Sequence, residues 1–67
     1  MKMENIEIFE RIFWEVAEDK GITAWWELFD SEDFEEVEER IAEYFGEADA
    51  ADVPEFLDWH NEMAEDL

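Results

Sequence analysis

Apolar residues recur along this chain at one set of offsets. Positions 6, 9, 13 and 17, then 34, 37, 41 and 45, then 56, 59, 63 and 67 each follow i, i+3, i+7, i+11. That spacing keeps side chains on one face of a helix turning about 100° per residue. Three amphipathic helices are predicted, each needing partners for its stripe. The offsets reflect that shared need and are not read as an internal repeat.

The first helix is predicted over residues 4–20. Ile6, Phe9, Phe13, Val16 and Ala17 form its stripe, widened by Ile12. Lys20 in the last turn and Gly21 after it are a stop signal. Residues 22–30, ITAWWELFD, read as a short Trp-rich helix with Thr23 as N-cap. Ile22, Trp25, Leu28 and Phe29 share a side, and so short a helix must lie as a lid across the others. The central helix follows Asp30 or Ser31 as cap and ends at Gly46 in the C′ position. Glu32 and Asp33 fall in its first turn, where the helix dipole favours acids. Phe34, Val37, Ile41, Tyr44 and Phe45 form its stripe. Residues 47–53 read as a linker of small and acidic residues. Pro54 is placed at N1 of a last helix running to about residue 66, with Phe56, Trp59, Met63 and Leu67 inward.

The predicted fold is all-α: one domain spanning residues 1–67, a small bundle of three amphipathic helices plus the short Trp-rich one. Its expected core is Phe9, Phe13, Phe34, Val37, Ile41, Phe45, Phe56 and Met63. Sixty-seven residues leave core stability marginal. The 16% aromatic content supplies the area a short chain needs, and it argues against a disordered chain. With no cysteine there is neither a disulfide framework nor a thiolate metal site. The first residues lack a signal peptide's apolar run, and no stretch approaches membrane-spanning length. A cytoplasmic protein is expected.

Charge changes the picture most. The net charge is −19, whereas solubility in a small domain needs a magnitude of only about 2–8. Such an excess works against compactness through self-repulsion. It is also lopsided. Residues 1–29 hold 7 acids against Lys2, Arg11 and Lys20; residues 30–67 hold 16 against Arg40 alone.

On the central helix, Glu32, Glu35, Glu36, Glu39 and Glu43 gather within roughly 100°, opposite the apolar stripe. The pairs 32–36, 35–39 and 39–43 are like charges four apart, each unfavourable by roughly 0.2–0.5 kcal/mol. Only Arg40, four after Glu36, offsets any of this. The last helix adds a second row: Glu55, Asp58, Glu62 and Glu65. Carboxylates four apart rise about 6 Å along a helix. Phosphates rise about 3.4 Å per step on one DNA strand and also wind sideways. A ridge of glutamates can therefore imitate a run of phosphates. Trp14 and Trp26 fall off their stripes, each either an exposed anchor for a partner or the edge of a small core.

Signatures of enzymes are missing. Two glycines make no phosphate loop, and Ser31, the only serine, is better used as a cap. His60, the only histidine, reads as a boundary residue beside Trp59, since no converging groups surround it. Neither 30–33 nor 49–52 has the spacing or glycine of an EF-hand loop. No enzyme activity, metal or cofactor is expected.

Size, helical pattern, absence of cysteine and acid ridges together resemble the small phage-encoded anti-CRISPR proteins that act as DNA mimics, especially inhibitors of type I Cascade complexes. The resemblance covers the chain as a type and rests on no motif, so the candidate residues above come from periodicity alone. It implies a basic DNA-binding partner, such as the Cascade subunit that reads the PAM. A monomer or small homo-oligomer that does not itself bind nucleic acid or membranes is expected. Two other readings compete: an acidic module such as an antitoxin or a chaperone of a basic partner, and a salt-adapted domain from a halophile.

Overall fold

A computed structural model describes residues 3–66. The molecule is all-helical there, with four α-helices and a 3-10 turn: α1 (Met3–Asp19), α2 (Trp25–Phe29), α3 (Phe34–Phe45), the turn Ala50–Asp52, and α4 (Phe56–Glu65). Leu67, assigned by spacing to the last stripe, lies outside the described residues.

The two glycines stop their helices as expected. At Gly21 (φ 71°), Ile22 N donates to Ala17 O at 2.8 Å and Gly21 N to Glu18 O at 3.1 Å. At Gly46 (φ 71°), Glu47 N donates to Ala42 O at 2.8 Å and Gly46 N to Glu43 O at 3.2 Å. Both are Schellman closures, which need a left-handed residue where glycine carries no Cβ penalty. Lys20 sits in the turn just past α1 rather than in its last turn.

The helix starts differ from expectation. Ala24, not Thr23, is the N-cap of α2, and no side chain bonds there. Helix α3 begins at Phe34 with Asp33 as N-cap, so Glu32 and Asp33 precede it. Of the two predicted caps, Ser31 acts on the turn before the helix. Its Oγ donates to Leu28 O at 2.9 Å and accepts from Asp33 N at 3.2 Å, joining α2 to α3. Pro54 is not N1 of α4. It occupies the second position of a tight turn over 53–56, closed by Phe56 N donating to Val53 O at 3.2 Å, with Glu55 at φ 71°, ψ −6°. This is type II geometry, in which the residue after proline takes positive φ.

Phe9 is the centre of the core. It is fully buried, and its ring lies 5.8 Å from Phe45, 5.7 Å from Phe56 and 5.4 Å from Trp59. Phe13 extends the packing to Phe34 and Trp59, each at 6.2 Å. The lid expectation for α2 is met by Leu28, fully buried, and by Phe29, whose ring lies 5.1 Å from Phe34 and 5.0 Å from His60. Of the expected core, Phe45 and Met63 are only half-buried.

Two expectations fail for one reason. Residues 47–53 are not a free linker: Asp49 accepts from Ala51 N at 3.2 Å, folding the 3-10 turn, and Ala50 and Val53 are buried. That turn packs on α3 beside Glu35, Glu38 and Glu39, the side on which helical periodicity also places Ala42 and from which Tyr44 turns away. Ala42 is therefore buried, whereas Tyr44, assigned to the stripe, is 60% exposed with its ring against Phe45 at 5.1 Å.

Candidate functional site

Because Phe34, Val37 and Ile41 are drawn into the core, helical periodicity turns the glutamates of α3 outward. Glu35, Glu39 and Glu43 are exposed on the helix, and Glu32 is exposed on the turn leading into it. None of the four makes an ion pair among the described residues.

Glu36 is different. It is half-buried, 2.6 Å from Arg40 and 3.5 Å from Lys20. Arg40 also reaches Asp19 at 3.1 Å, and Lys20 reaches Asp33 at 3.6 Å. The Asp19 hydrogen bond is the main reason the Arg40 guanidinium is held above its ordinary pKa, with Glu36 adding to it. Both cations thus sit at the seam between the end of α1 and the start of α3. They offset two of the seam's three carboxylates and, among the described residues, leave the ridge beside it unpaired.

Two acids that periodicity did not single out enlarge the ridge. Glu38 and Asp49 line a shallow hollow with Glu35 and Glu39, floored by Ala50. Burial pushes the Glu38 carboxyl above its ordinary value; His60 opposes this, while Asp49 and Glu35 push it further up. Glu38 lies near the apolar stripe in angle, so the pattern of the outward face does not include it. Asp49 joins the surface only because the 3-10 turn docks on α3.

In the second row, Asp58, Glu62 and Glu65 are exposed on the outer face of α4. Glu55 departs from the row: it is half-buried in the turn before the helix, and its Oε2 is buried with no hydrogen-bond partner.

Trp14 and Trp26 are exposed, at 48% and 54%. They belong to a feature the sequence did not disclose. Trp14 and Trp25 wall a cleft of about 470 Å³, with Phe13, Trp59 and Met63 beneath them and Glu10 and Asp66 at its rim. Trp26 stands edge-on to Trp25 at 6.1 Å, and a neighbouring groove runs between these two rings, Asp30 and Asp66.

His60 is half-buried among the rings of Phe29, Phe34 and Phe56, at 5.0, 5.6 and 6.0 Å. Among the described residues, no group of three or more histidine, cysteine or acidic side chains is placed to hold a metal ion. No described helix is long and apolar enough to cross a membrane. Comparison with protein-family models, with curated proteins and with solved structures finds no match.

Proposed function

We propose that this protein is a DNA-mimicking inhibitor that occupies the basic DNA-binding surface of a nucleic-acid-binding protein. In its most specific form the proposal is an anti-CRISPR protein that blocks PAM recognition by a Cascade complex. One observation carries it: Glu32, Glu35, Glu39 and Glu43 stand exposed and unpaired together, while Lys20 and Arg40 are spent at the adjacent seam. Lysine placed four after Glu35 or Glu39 on the helix would turn repulsion into attraction. Leaving the ridge bare is unfavourable for the isolated helix and favourable only toward a cationic surface. The dimensions support a short target. The 12 residues of α3 span about 18 Å at 1.5 Å per residue. That matches roughly five base steps, the scale of a brief duplex element rather than a long site.

A competition titration tests the reading. Labelled duplex is held on the partner, the protein is added, and release is followed. Stoichiometric release that weakens as salt rises is expected, as for phosphate contacts. Glu35→Lys with Glu39→Lys should abolish release while the helix remains folded. Glu7→Lys with Glu10→Lys, on α1, should reduce it far less. Simultaneous binding of duplex and protein would replace the mimic with an acidic module that docks elsewhere on a basic partner.

A further inference from the structure

We infer that the tryptophan cleft between α1, α2 and α4 is a receptor for an arginine side chain carried by a basic segment of a partner protein. Trp14 and Trp25 line it together with the exposed acids Glu10 and Asp66. The adjoining groove repeats that composition with Trp26 and Asp30, and among the described residues no lysine or arginine lines either space. Three of the chain's four tryptophans therefore line these two adjoining spaces, with Trp25 shared between them.

Charge complementarity selects the occupant. A purely apolar guest would cover the rings but take water from the rim carboxylates with nothing in exchange. A cation satisfies both parts, attracted to the ring faces by their quadrupole and to the rim by its charge. Arginine fits better than lysine. Its planar guanidinium stacks on indole, is weakly hydrated, and presents a fork of donors to a carboxylate. A cleft of about 470 Å³ exceeds one side chain and lies within the usual range of ligand sites, so it admits the arginine with the backbone that bears it. This receptor does not depend on the ridge reading, because it needs only an arginine-bearing partner.

The test uses the intact chain, isotope-labelled, with Gly-Arg-Gly-Arg-Gly as probe at physiological salt. The indole N–H resonances of the tryptophans are followed by NMR. Saturable shifts at Trp14, Trp25 and Trp26 are expected, with binding several-fold tighter than for Gly-Lys-Gly-Lys-Gly. A citrulline peptide, neutral but of the same shape, should bind about tenfold more weakly or less. Trp14→Ala should weaken the arginine peptide about fivefold, the size of one cation–π contact. Should that variant fail to fold, Glu10→Gln with Asp66→Asn leaves every aromatic in place and should weaken binding by a similar factor. Reversing Glu35 and Glu39 should change it less than twofold, since neither lines the cleft or the adjoining groove and exposed charges are screened at this salt. Equal shifts of the same indoles with the lysine peptide would mean diffuse attraction to a −19 surface and overturn the receptor. Equal binding of the citrulline peptide would make the cleft an apolar groove. Shifts of the same indoles with protein concentration alone would make its occupant a second copy. No DNA-binding partner enters the experiment, so either outcome leaves the ridge proposal standing for its own test.

Discussion

Glu55 is the residue under most local tension. Its φ of 71° makes it the only non-glycine with positive φ among the described residues. Left-handed backbone is unfavourable for an L-residue by about 1–2 kcal/mol. The proline-initiated turn imposes it, because the third position of a type II turn needs positive φ. Glu55→Gly should therefore stabilise the protein, even though the extra freedom of glycine in the unfolded chain offsets about 0.5–1 kcal/mol. A net gain of about 0.5–1 kcal/mol would raise Tm by several degrees in a domain of this size. Glu55→Ala keeps the Cβ and should lack that gain. Equal melting of the two variants would show that strain is not what limits the turn. Glu38 tests pH dependence. Burial raises its folded pKa above the unfolded value, so the folded state holds that proton more tightly. Stability from this group then falls as pH rises through the window between the two values and returns on acidification. Glu38→Gln should raise Tm at neutral pH, and its advantage should shrink on acidification through that window, as the wild-type carboxyl becomes protonated. A difference independent of pH would remove ionisation of Glu38 from the explanation.

At the scale of elements, α3 carries two jobs that conflict. Its inward face holds the core, while its outward face stacks like charges, and Glu43 lies at the C-terminal end where the dipole disfavours acids. The Lys20–Arg40 seam is what ties this helix electrostatically to α1. Arg40→Gln removes contacts to both Asp19 and Glu36. A small loss of stability is expected at low salt, as for exposed pairs, and it should shrink as salt is added. A double-mutant cycle with Glu36→Gln should return a measurable coupling. Zero coupling at low salt would mean the seam is decorative. The same substitution makes the ridge more negative, so affinity for a basic partner should hold or rise while stability falls. That opposite movement separates the scaffold's interest from the surface's.

The whole molecule balances an aromatic core against its own charge. Phe9, buried against rings from α3 and α4, shows how 67 residues bury enough area; a fully buried side chain of that type contributes roughly 1.5–3 kcal/mol. Opposing it is the self-repulsion of a net charge of −19. Added salt shortens the reach of each charge, from about 30 Å at 0.01 M to about 10 Å at 0.1 M. Urea midpoints should therefore move upward with sodium chloride, urea being uncharged and so leaving ionic strength to the salt. A midpoint that falls as salt is added would mean that the seam pairs outweigh the repulsion.

Local physics was enough to read much of this from the chain. Helix number, the stops at Gly21 and Gly46, and the glutamate ridge follow from periodicities and closures contained within a few residues. Pro54 reads as a helix start because Glu55 stands where a type II turn ordinarily shows glycine, and only the glycine announces the turn. Tertiary structure decided the rest. Periodicity defines a face but not its neighbour, so docking of the 3-10 turn determined that Ala42 goes in and Tyr44 stays out. Folding brought Lys20 from the end of α1 to Glu36, taking one carboxylate out of the ridge, and brought Glu38 and Asp49 beside it. The same packing gathered Trp14, Trp25 and Trp59 from three helices around one cleft. Such meetings depend on the volumes that fill the space between elements, and no stretch read alone contains them.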